Sequence, residues 1–359
     1  MTDWGASNRK DEYRFFLCDP FTMSEEGEVA ADAASSSLSW DIGSETVYSG
    51  TIALLEDVGR DKLIRVKRTV STPVETSTET VATMFVRDVS KNALYGNEVI
   101  TANCFSTLYR LTEDKLPSDF HRSKNDKTVV EAVKSLVEGV GGKLVVDEGV
   151  DTAKKFGRNI WFALGDSRYM AASTIASWIG CKLSCDGNGN VVMSPKERPD
   201  TAPVKFDFEA GRNCVYVPGV GDDMGQVGTA NRVVAYFTRK KADDDFPLSD
   251  RVVVELGDEC AFSYARCGRY QTAILKVDPC SHADLEKQAD DHLMEKSGEV
   301  RHYTIEHVSI PGLTVGDVVT YRNDTDFKVP VFARCQIEQM DVGSLSHASM
   351  CKTKLKMIL

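Results

Sequence analysis

The sequence of 359 residues predicts an α+β fold in which two β-rich regions flank a small unit of two helices and a hairpin. Two separate stretches are rich in Val, Ile, Thr and aromatic residues, which are the residue types favoured in strands. Between these stretches, apolar residues recur at helical spacing in two short segments. The length exceeds that of one ordinary hydrophobic core and predicts a multi-domain protein of about two or three domains.

The first β-rich region covers residues 37–116 and follows an N-terminal segment of residues 1–36. In that segment the acidic and Ser/Ala-rich run "SEEGEVAADAASSSLSW" predicts a loop that leads into the first strand. Turn signals then separate four runs of strand composition, which predict a small antiparallel β domain. These runs are "TVYSGTIALL", "DKLIRVKRTV", "TVATMFVRDV" and "NEVITANCFSTLY".

Residues 117–202 predict the small αβ unit. Thr128 and Glu131 have the spacing of a capping box at the start of the first helix. Asp166 or Ser167 is the predicted cap of the second helix, and glycines follow both helices. The apolar positions with helical spacing are Val129, Val133, Leu136 and Val140 in the first helix and Ala172, Ile175, Ala176 and Ile179 in the second. Each helix is therefore expected to bury one face.

The stretch "CDGNGNVVMSPKE" after the second helix has features of a calcium-binding loop. The residues with oxygen atoms at suitable positions are Asp186, Asn188, Asn190 and Glu197. However, the sixth position of a helix-loop-helix calcium site must be Gly, and here it is Val191. Pro195 also disfavours the helix that would present Glu197.

A hairpin explains the same stretch more simply. Asp-Gly and Asn-Gly supply the positive φ angles of tight turns, so "CKLSC" and "VVMSP" are predicted as paired strands. Asp186, Asn188 and Asn190 then serve turn geometry through side chain to backbone hydrogen bonds and tolerance of left-handed angles. We expect this turn to be a solvent-exposed tip.

Residues 203–359 predict a second β-rich region that contains one helix. The helix lies in "DPCSHADLEKQADDHLMEKSG", where Ser281 and Asp284 form a capping box and Gly298 is the terminator. Its predicted core positions are Leu285, Ala289 and Leu293. The runs "ANRVVAYF", "DRVVVELG" and "HVSIPGLTVGDVVTYRN", and those near the C-terminus, predict strands.

Charge and composition exclude several classes of protein. The formal net charge of −11 at pH 7 disfavours phosphate binding as the main task. No apolar run approaches the roughly 18 residues that cross a bilayer, so no membrane span is predicted. The start lacks the features of a signal peptide, which predicts folding in a cytoplasm. The ten cysteines stand singly and are expected to be reduced, unpaired thiols.

A metal site is not predicted, although Cys181, Cys185, His302 and His307 have the inner spacings of a zinc site. Compact zinc sites hold their two pairs about twenty residues apart at most, and here the separation is much longer. On a strand, His302 and His307 would point to opposite faces. Buried thiols with surface or hairpin-facing histidines are expected instead, and no cofactor is predicted.

No catalytic residue is predicted either. "VPGVGDDMGQVG" lacks the glycine spacing of a dinucleotide loop and predicts a plain loop, and no nucleophile elbow, zinc-protease helix or phosphate loop occurs. Carboxylates such as Asp222, Asp223 and residues 243–245 occur in runs, which indicates solvated loops. A glycosidase would instead need two opposed acids across a cleft.

Four aromatic residues of the αβ unit allow two interpretations. They are Trp161, Phe162, Tyr169 and Trp178. They could line a sugar-binding groove, but their strand and helix spacing favours a hydrophobic core.

The order and composition of these segments resemble the tail hub proteins (baseplate hub or tail-tip hub) of tailed bacteriophages and related injection machines. Such proteins form the ring between the tail tube and the tip. Similarity runs from about Ser37 to Leu359, and each shared stretch is structural rather than chemical. These stretches are "VYSGTIALL", "VITANCFSTLYRL", "SKNDKTVVEAVKSLVEGVGGKLVVD", "AASTIASWIGCKLSCDGNGNVVMSPKE", "NRVVAYF", "DPCSHADLEKQADDHL" and "HVSIPGLTVGDVVTYRN".

The resemblance implies a homotrimer in which each subunit contributes two tail-tube-like antiparallel β-barrel domains, residues 37–116 and 203–359, to a ring that matches a hexameric tail tube. The αβ unit would lie outside this ring. The implied partners are the tail tube or distal tail protein, the tape-measure protein and a tip or spike protein, with DNA only in transit through the lumen. The implied location is the virion tail tip, after assembly in the host cytoplasm. The acidic balance agrees with this role, because a negative lumen repels phosphates.

Two other functions stay open at the level of sequence. A phage-associated cell-wall-cleaving enzyme would need opposed carboxylates in a cleft. A calcium-dependent cell-surface-binding module would use Asp186, Asn188 and Asn190 as ligands. The favoured function is a structural hub without enzymatic activity.

Overall fold

The computed structural model describes residues 8–94, 97–123, 127–156, 159–209, 216–217, 222–225, 230–238, 247–260, 263–297, 300–322, 333–346 and 349–358. Its helices are α1 (Tyr109–Glu113), α2 (Val129–Glu138), α3 (Arg168–Ser177), α4 (Tyr264–Cys267) and α5 (His282–Lys296). Its first strands are β1 (Lys10–Cys18), β2 (Glu25–Val29), β3 (Ala31–Asp41), β4 (Tyr48–Leu54), β5 (Leu63–Ser71), β6 (Thr76–Leu94), β7 (Asn97–Ser106), β8 (Phe120–Arg122), β9 (Leu144–Val146), β10 (Ile160–Phe162), β11 (Cys181–Cys185) and β12 (Val191–Pro195). The remaining strands are β13 (Val204–Glu209), β14 (Tyr216–Val217), β15 (Asp222–Gly225), β16 (Arg232–Thr238), β17 (Ser249–Glu255), β18 (Thr272–Lys276), β19 (Val300–Val308), β20 (Val318–Arg322), β21 (Ala333–Val342) and β22 (Met350–Met357).

Fourteen strands form one continuous sheet, in which β21 joins the two β-rich regions. The order along its main path is β14-β19-β22-β21-β3-β4-β7-β6-β5-β1-β2, with β13, β15 and β20 attached beside it. One side of β21 pairs with β22, and the other pairs first with β20 and then with β3, where Gln339–Val342 lie opposite Leu38–Asp41. A single apolar cluster contains residues of both regions. The described strands make an α+β fold that is mostly antiparallel sheet, and no closed barrel is found among them.

The N-terminal segment differs from the predicted loop. Its residues form β1, β2 and the start of β3. Strand pairing is the reason, because β2 pairs with β1 and β3 lies between β4 and β21. Glu25 on β2 also forms ion pairs with Arg65 and Lys67. Neighbouring strands thus override the weak strand propensity of Ser, Ala and Glu.

The αβ unit has its own hydrophobic core, between α2, α3 and the sheet β11-β12-β9. The predicted capping box is confirmed, since Thr128 Oγ1 accepts from the amide of Glu131 over 3.2 Å and the Glu131 carboxylate accepts from the amide of Thr128 over 2.8 Å. Ser167 caps α3, because its hydroxyl oxygen accepts a hydrogen bond from the backbone amide of Met170 over 3.0 Å. The predicted apolar faces are buried, except that Val140 and Ile179 are only partly buried.

The helix predicted in the second β-rich region belongs to a further small unit. Helix α5 packs on one face of the sheet β17-β16-β18, and Ser281 caps it by accepting from the amide of Asp284 over 3.2 Å. The buried cluster between them consists of Val233, Ala235, Phe237, Val252, Leu285, Ala289 and Leu293. The core positions predicted for the helix are therefore confirmed, and Gly298 lies outside the described residues.

The stretch predicted as a plain glycine loop contains a strand. Asp222–Gly225 form β15, which pairs with the start of β19. Asp222 and Asp223 therefore lie in a strand, because the neighbouring β19 backbone provides hydrogen-bond partners. Residues 243–245 lie outside the described residues.

Candidate functional site

The best-defined contact between the αβ unit and the rest of the chain is the turn Asp186–Asn190. Strands β11 and β12 pair from Cys181 opposite Pro195 to Cys185 opposite Val191, which confirms the predicted hairpin. The Asp186 carboxylate accepts from the backbone amide and from the side-chain amide of Asn190, both over 2.8 Å. This contact confirms the turn role of both residues.

The tip of this hairpin is not the exposed tip that the sequence predicts. Side chains of the first β-rich region donate hydrogen bonds to four consecutive carbonyl oxygens of the turn. The pairs are Tyr48 with Asp186 (2.9 Å), Thr83 with Gly187 (2.7 Å), Arg65 with Asn188 (3.3 Å) and Thr107 with Gly189 (2.7 Å). We call these eight residues the interdomain clamp. Carbonyl groups taken out of water need such partners, so the clamp fixes the αβ unit on the sheet.

Both glycines of the turn are required by this contact. A Cβ atom on Gly187 would overlap the carbonyl oxygen of Thr80 on β6. Gly189 has φ of +87°, and a Cβ atom there would lie 3.1 Å from side-chain atoms of Thr83 and Thr107. The positive φ of this turn lies at Gly189, the glycine of the predicted Asn-Gly pair, and neither asparagine has a positive φ.

A partly buried thiol lies under the clamp. Cys185 Sγ is 3.2 Å from the hydroxyl oxygens of both Tyr48 and Thr107. Burial raises the pKa of the Cys185 thiol and raises the pKa of the Tyr48 phenol well above its ordinary value. Both groups are therefore neutral at physiological pH and act as hydrogen-bonding packing groups rather than as a nucleophile and its base.

A second contact links the N-terminal segment and strands β5 and β6 to the segment after β19. Arg9 forms a buried ion pair with Asp11 over 2.8 Å and also donates to the carbonyl oxygen of Ser309. Arg68 donates to Glu79 and to the Ser309 hydroxyl. The other Glu79 oxygen accepts a hydrogen bond from the backbone amide of Gly312 over 2.9 Å. Because these charges are paired and hydrogen bonded, they hold two distant segments in one arrangement.

A groove of about 410 Å³ crosses the solvent face of the sheet where the two β-rich regions join. Hydroxyl and amide groups of β3, β4 and β7 line it, together with Asp88 and Asp341. Asp341 accepts from Ser39 over 2.5 Å and from Gln339 over 2.9 Å, and Asp88 is ion paired with Arg87. Neighbouring donors hold the Asp341 carboxylate, and a cation holds that of Asp88. Apolar side chains also line the groove, so its surface is mixed in polarity.

The possible zinc ligands of the sequence are not brought together. Cys185 lies under the clamp against Tyr48, and His302 Nε2 contacts Glu338 over 2.8 Å. His307 is fully buried, which corrects the expected surface or hairpin position: Nδ1 donates to the Val308 carbonyl over 2.7 Å and Nε2 accepts from Thr353 over 2.8 Å. Among the described residues, no group of three or more His, Cys, Asp or Glu could hold a metal ion.

The aromatic residues of the αβ unit separate into two groups. Phe162 is buried and stacks on Trp178 with ring centroids 6.5 Å apart, and Tyr169 is partly buried in the same core. Trp161 is 61% exposed on β10, so the core interpretation fails for this residue. Adjacent strand residues point to opposite faces, which explains why Phe162 is inside and Trp161 outside.

Comparison with solved structures identifies a known fold. The chain resembles the 43 kDa tail protein of prophage MuSo2 from Shewanella oneidensis, with 13% identity, a TM-score of 0.63 and coverage of 96% of this chain and 98% of the other. It resembles the tail protein from Neisseria meningitidis MC58 with 13% identity, a TM-score of 0.64 and coverage of 96% of both chains. For prophage tail protein gp18 from Listeria monocytogenes EGD-e the values are 10% identity, a TM-score of 0.59, and 96% and 94% coverage.

These similarities confirm the resemblance at the level of the fold, which is that of phage tail proteins. No protein-family model matches the chain, and no curated protein matches it in sequence. In the described part of the chain, no helix is both long and apolar enough to cross a membrane.

Proposed function

We propose, from the phage tail protein fold that spans nearly the whole chain, that this protein is the structural hub of a phage tail tip or baseplate. Residues 37–116 and 203–359 are the two tube-like β domains of one subunit, and residues 117–202 are the αβ unit on its outside. Three subunits form a ring that joins a hexameric tail tube to the tip and lines the DNA passage. The protein acts through its shape and contacts, without catalysis.

The single observation that carries this proposal is the agreement of fold over 96% of the chain with tail proteins of similar length. The continuous sheet through β21 supports it, because a ring element must hold its two β-rich regions in one fixed arrangement. The interdomain clamp and the Arg9–Asp11 and Arg68–Glu79 contacts supply the same rigidity at two further points.

The proposed partners follow from the position of a hub. The tail tube or distal tail protein contacts one side of the ring, a tip or spike protein contacts the other, and the tape-measure protein ends in the lumen. DNA passes through without binding, in agreement with the net charge of −11. The protein belongs to the virion tail tip, after assembly in the host cytoplasm.

Native mass spectrometry of the purified full chain tests the ring. The expected result is a trimer with large obligate interfaces, of at least about 2,000 Å². Electron microscopy of assembled tails decorated with an antibody against this protein should then place the label at the tip end. A chain that stays monomeric at high concentration, together with label along the tube or no label at all, contradicts the hub.

A further inference from the structure

The sheet β17-β16-β18 has one face that no other part of the described chain covers. Its inner face packs on α5. On the outer face, Val234 lies in register with Val253 on one side and with Ile274 on the other. Ile274 is 70% exposed and Val253 is 46% exposed. Three β-branched side chains thus form an apolar row across all three strands.

One end of this row carries an aromatic cluster. The Arg232 guanidinium lies 3.2 Å from the ring centroid of Tyr270, and Tyr270 stacks on Tyr264 with centroids 4.2 Å apart. Glu255 accepts from Tyr270 and pairs with Arg232, so the charges at this end are balanced. Tyr and Arg are the residue types that dominate the binding energy of protein interfaces.

The other end of the row carries positive charge. Tyr236 lies in register between Arg251 and Lys276, which are both exposed. Neither cation has an ion pair with a described residue, and the carboxylate of the nearby Asp250 contacts His282 over 2.8 Å. An apolar row with cations at its rim therefore stands on a chain whose net charge is −11.

We propose that this outer face, defined by Arg232, Val234, Tyr236, Val253 and Ile274 with Arg251 and Lys276 at its rim, docks a second copy of the chain. Charge complementarity supports this occupant, since the remainder of each copy offers an excess of carboxylates to two cations that have no ion pair within the described part of the chain. The contact joins two different surfaces of the same molecule, and such heterologous contacts form a ring when the rotation from one copy to the next closes. The inference rests on the proposed trimeric hub and assigns one of its subunit interfaces.

The test compares Val253→Asp and Ile274→Asp with the control Val74→Asp, in which a valine that is 82% exposed in the β5–β6 turn is replaced. Sedimentation of the full chain over a range of concentrations gives the oligomeric state, and melting temperatures show that each variant is folded. Both outer-face variants should weaken self-association by about tenfold or more, as expected for loss of interface hot spots, whereas the control should not. The pair Arg251→Glu with Lys276→Glu should also weaken it, and added salt should weaken the association of the native chain.

The outcomes separate the two proposals. A native trimer that all the outer-face variants preserve overturns this interface and leaves the hub intact. A chain that is monomeric at every concentration overturns both the interface and the self-assembling ring. Disruption by Val74→Asp to the same extent would show a general effect of added charge and would also overturn the assignment.

Discussion

The Thr83 hydroxyl donates to the carbonyl oxygen of Gly187 over 2.7 Å, although the two residues are 104 positions apart in the chain. Thr83 belongs to β6 in the large sheet, and Gly187 belongs to the hairpin turn of the αβ unit. Arg65 Nε donates to the same Thr83 oxygen over 3.0 Å, so the hydroxyl proton is directed at the turn. The position of the αβ unit on the sheet therefore depends on one short segment with little freedom to adjust.

Gly187→Ala tests this dependence. The added Cβ atom would overlap the Thr80 backbone, and we expect the free energy of unfolding to fall by about 1 to 3 kcal/mol, as in overpacked sites. Gly27→Ala is the matched control, because its Cβ atom meets nothing within 4 Å, and it should change stability by less than about 0.5 kcal/mol. Urea denaturation measures both, and equal stability of the two variants would contradict the close contact.

The two asparagines of the turn should differ. Asn190→Ala removes the hydrogen bond from the side-chain amide to Asp186 and should cost about 1 kcal/mol. Asn188 is exposed and contributes only its backbone carbonyl to the clamp, so Asn188→Ala should be nearly neutral. Thermal melting measures the difference.

Calcium should not affect this turn. The Asp186 carboxylate is already occupied by two donors from Asn190, so calorimetric titration with calcium should give no saturable heat. A chelator should leave the melting temperature unchanged. A large shift in either measurement would restore the calcium-binding alternative.

His307 should make stability depend on pH. Burial lowers its pKa from 6.5 to about 4, so between these values the unfolded chain binds more protons than the folded chain. The contribution of His307 to the free energy of unfolding is fully present above pH 6.5. As the pH falls toward 4, the free energy of unfolding decreases by up to about 3 kcal/mol. Denaturation at several pH values should show this slope.

His307→Gln should remove most of that slope. The variant keeps a polar side chain near Val308 and Thr353 but cannot titrate. His121→Gln, at an exposed position, is the control and should retain the slope of the native chain. If stability depends on pH as strongly in His307→Gln as in the native chain, other titratable groups cause that dependence.

Thiol reactivity should separate the folded from the unfolded chain. Burial raises the pKa of Cys104 and Cys335 to about 12 and of Cys351 to about 11, so these thiols are protonated and shielded at pH 8. A thiol reagent should react rapidly with the native protein at the exposed Cys267. After denaturation without reductant, all ten cysteines should react, and a lower count would indicate disulfides.

Local patterns in the sequence were sufficient for most elements. Thr128 and Glu131 fix a helix start through contacts within one turn, and alternating apolar residues in runs such as "DKLIRVKRTV" fix a strand with one buried face. The hairpin of Asp186–Asn190 was also predictable, because its turn chemistry is local. These interactions join residues that are close in the chain, so the sequence displays them directly.

Interactions between distant residues were decided only by the tertiary structure. The sequence predicts a strand in "ARCQIEQMDV" but does not predict that this strand joins β22, β20 and β3 into one sheet. It predicts a turn at Gly187 but not that Thr80 and Thr83 lie against it. The surface or hairpin position that it predicts for His307 is wrong, because that side chain is buried. A periodicity of two shows that one face of a strand is covered, yet the covering residues come from any part of the chain. For this reason the sequence by itself determined the α+β class and most of its elements. The tertiary structure decided the strands of the N-terminal segment, the order of the strands, the clamp and the uncovered face of β17-β16-β18.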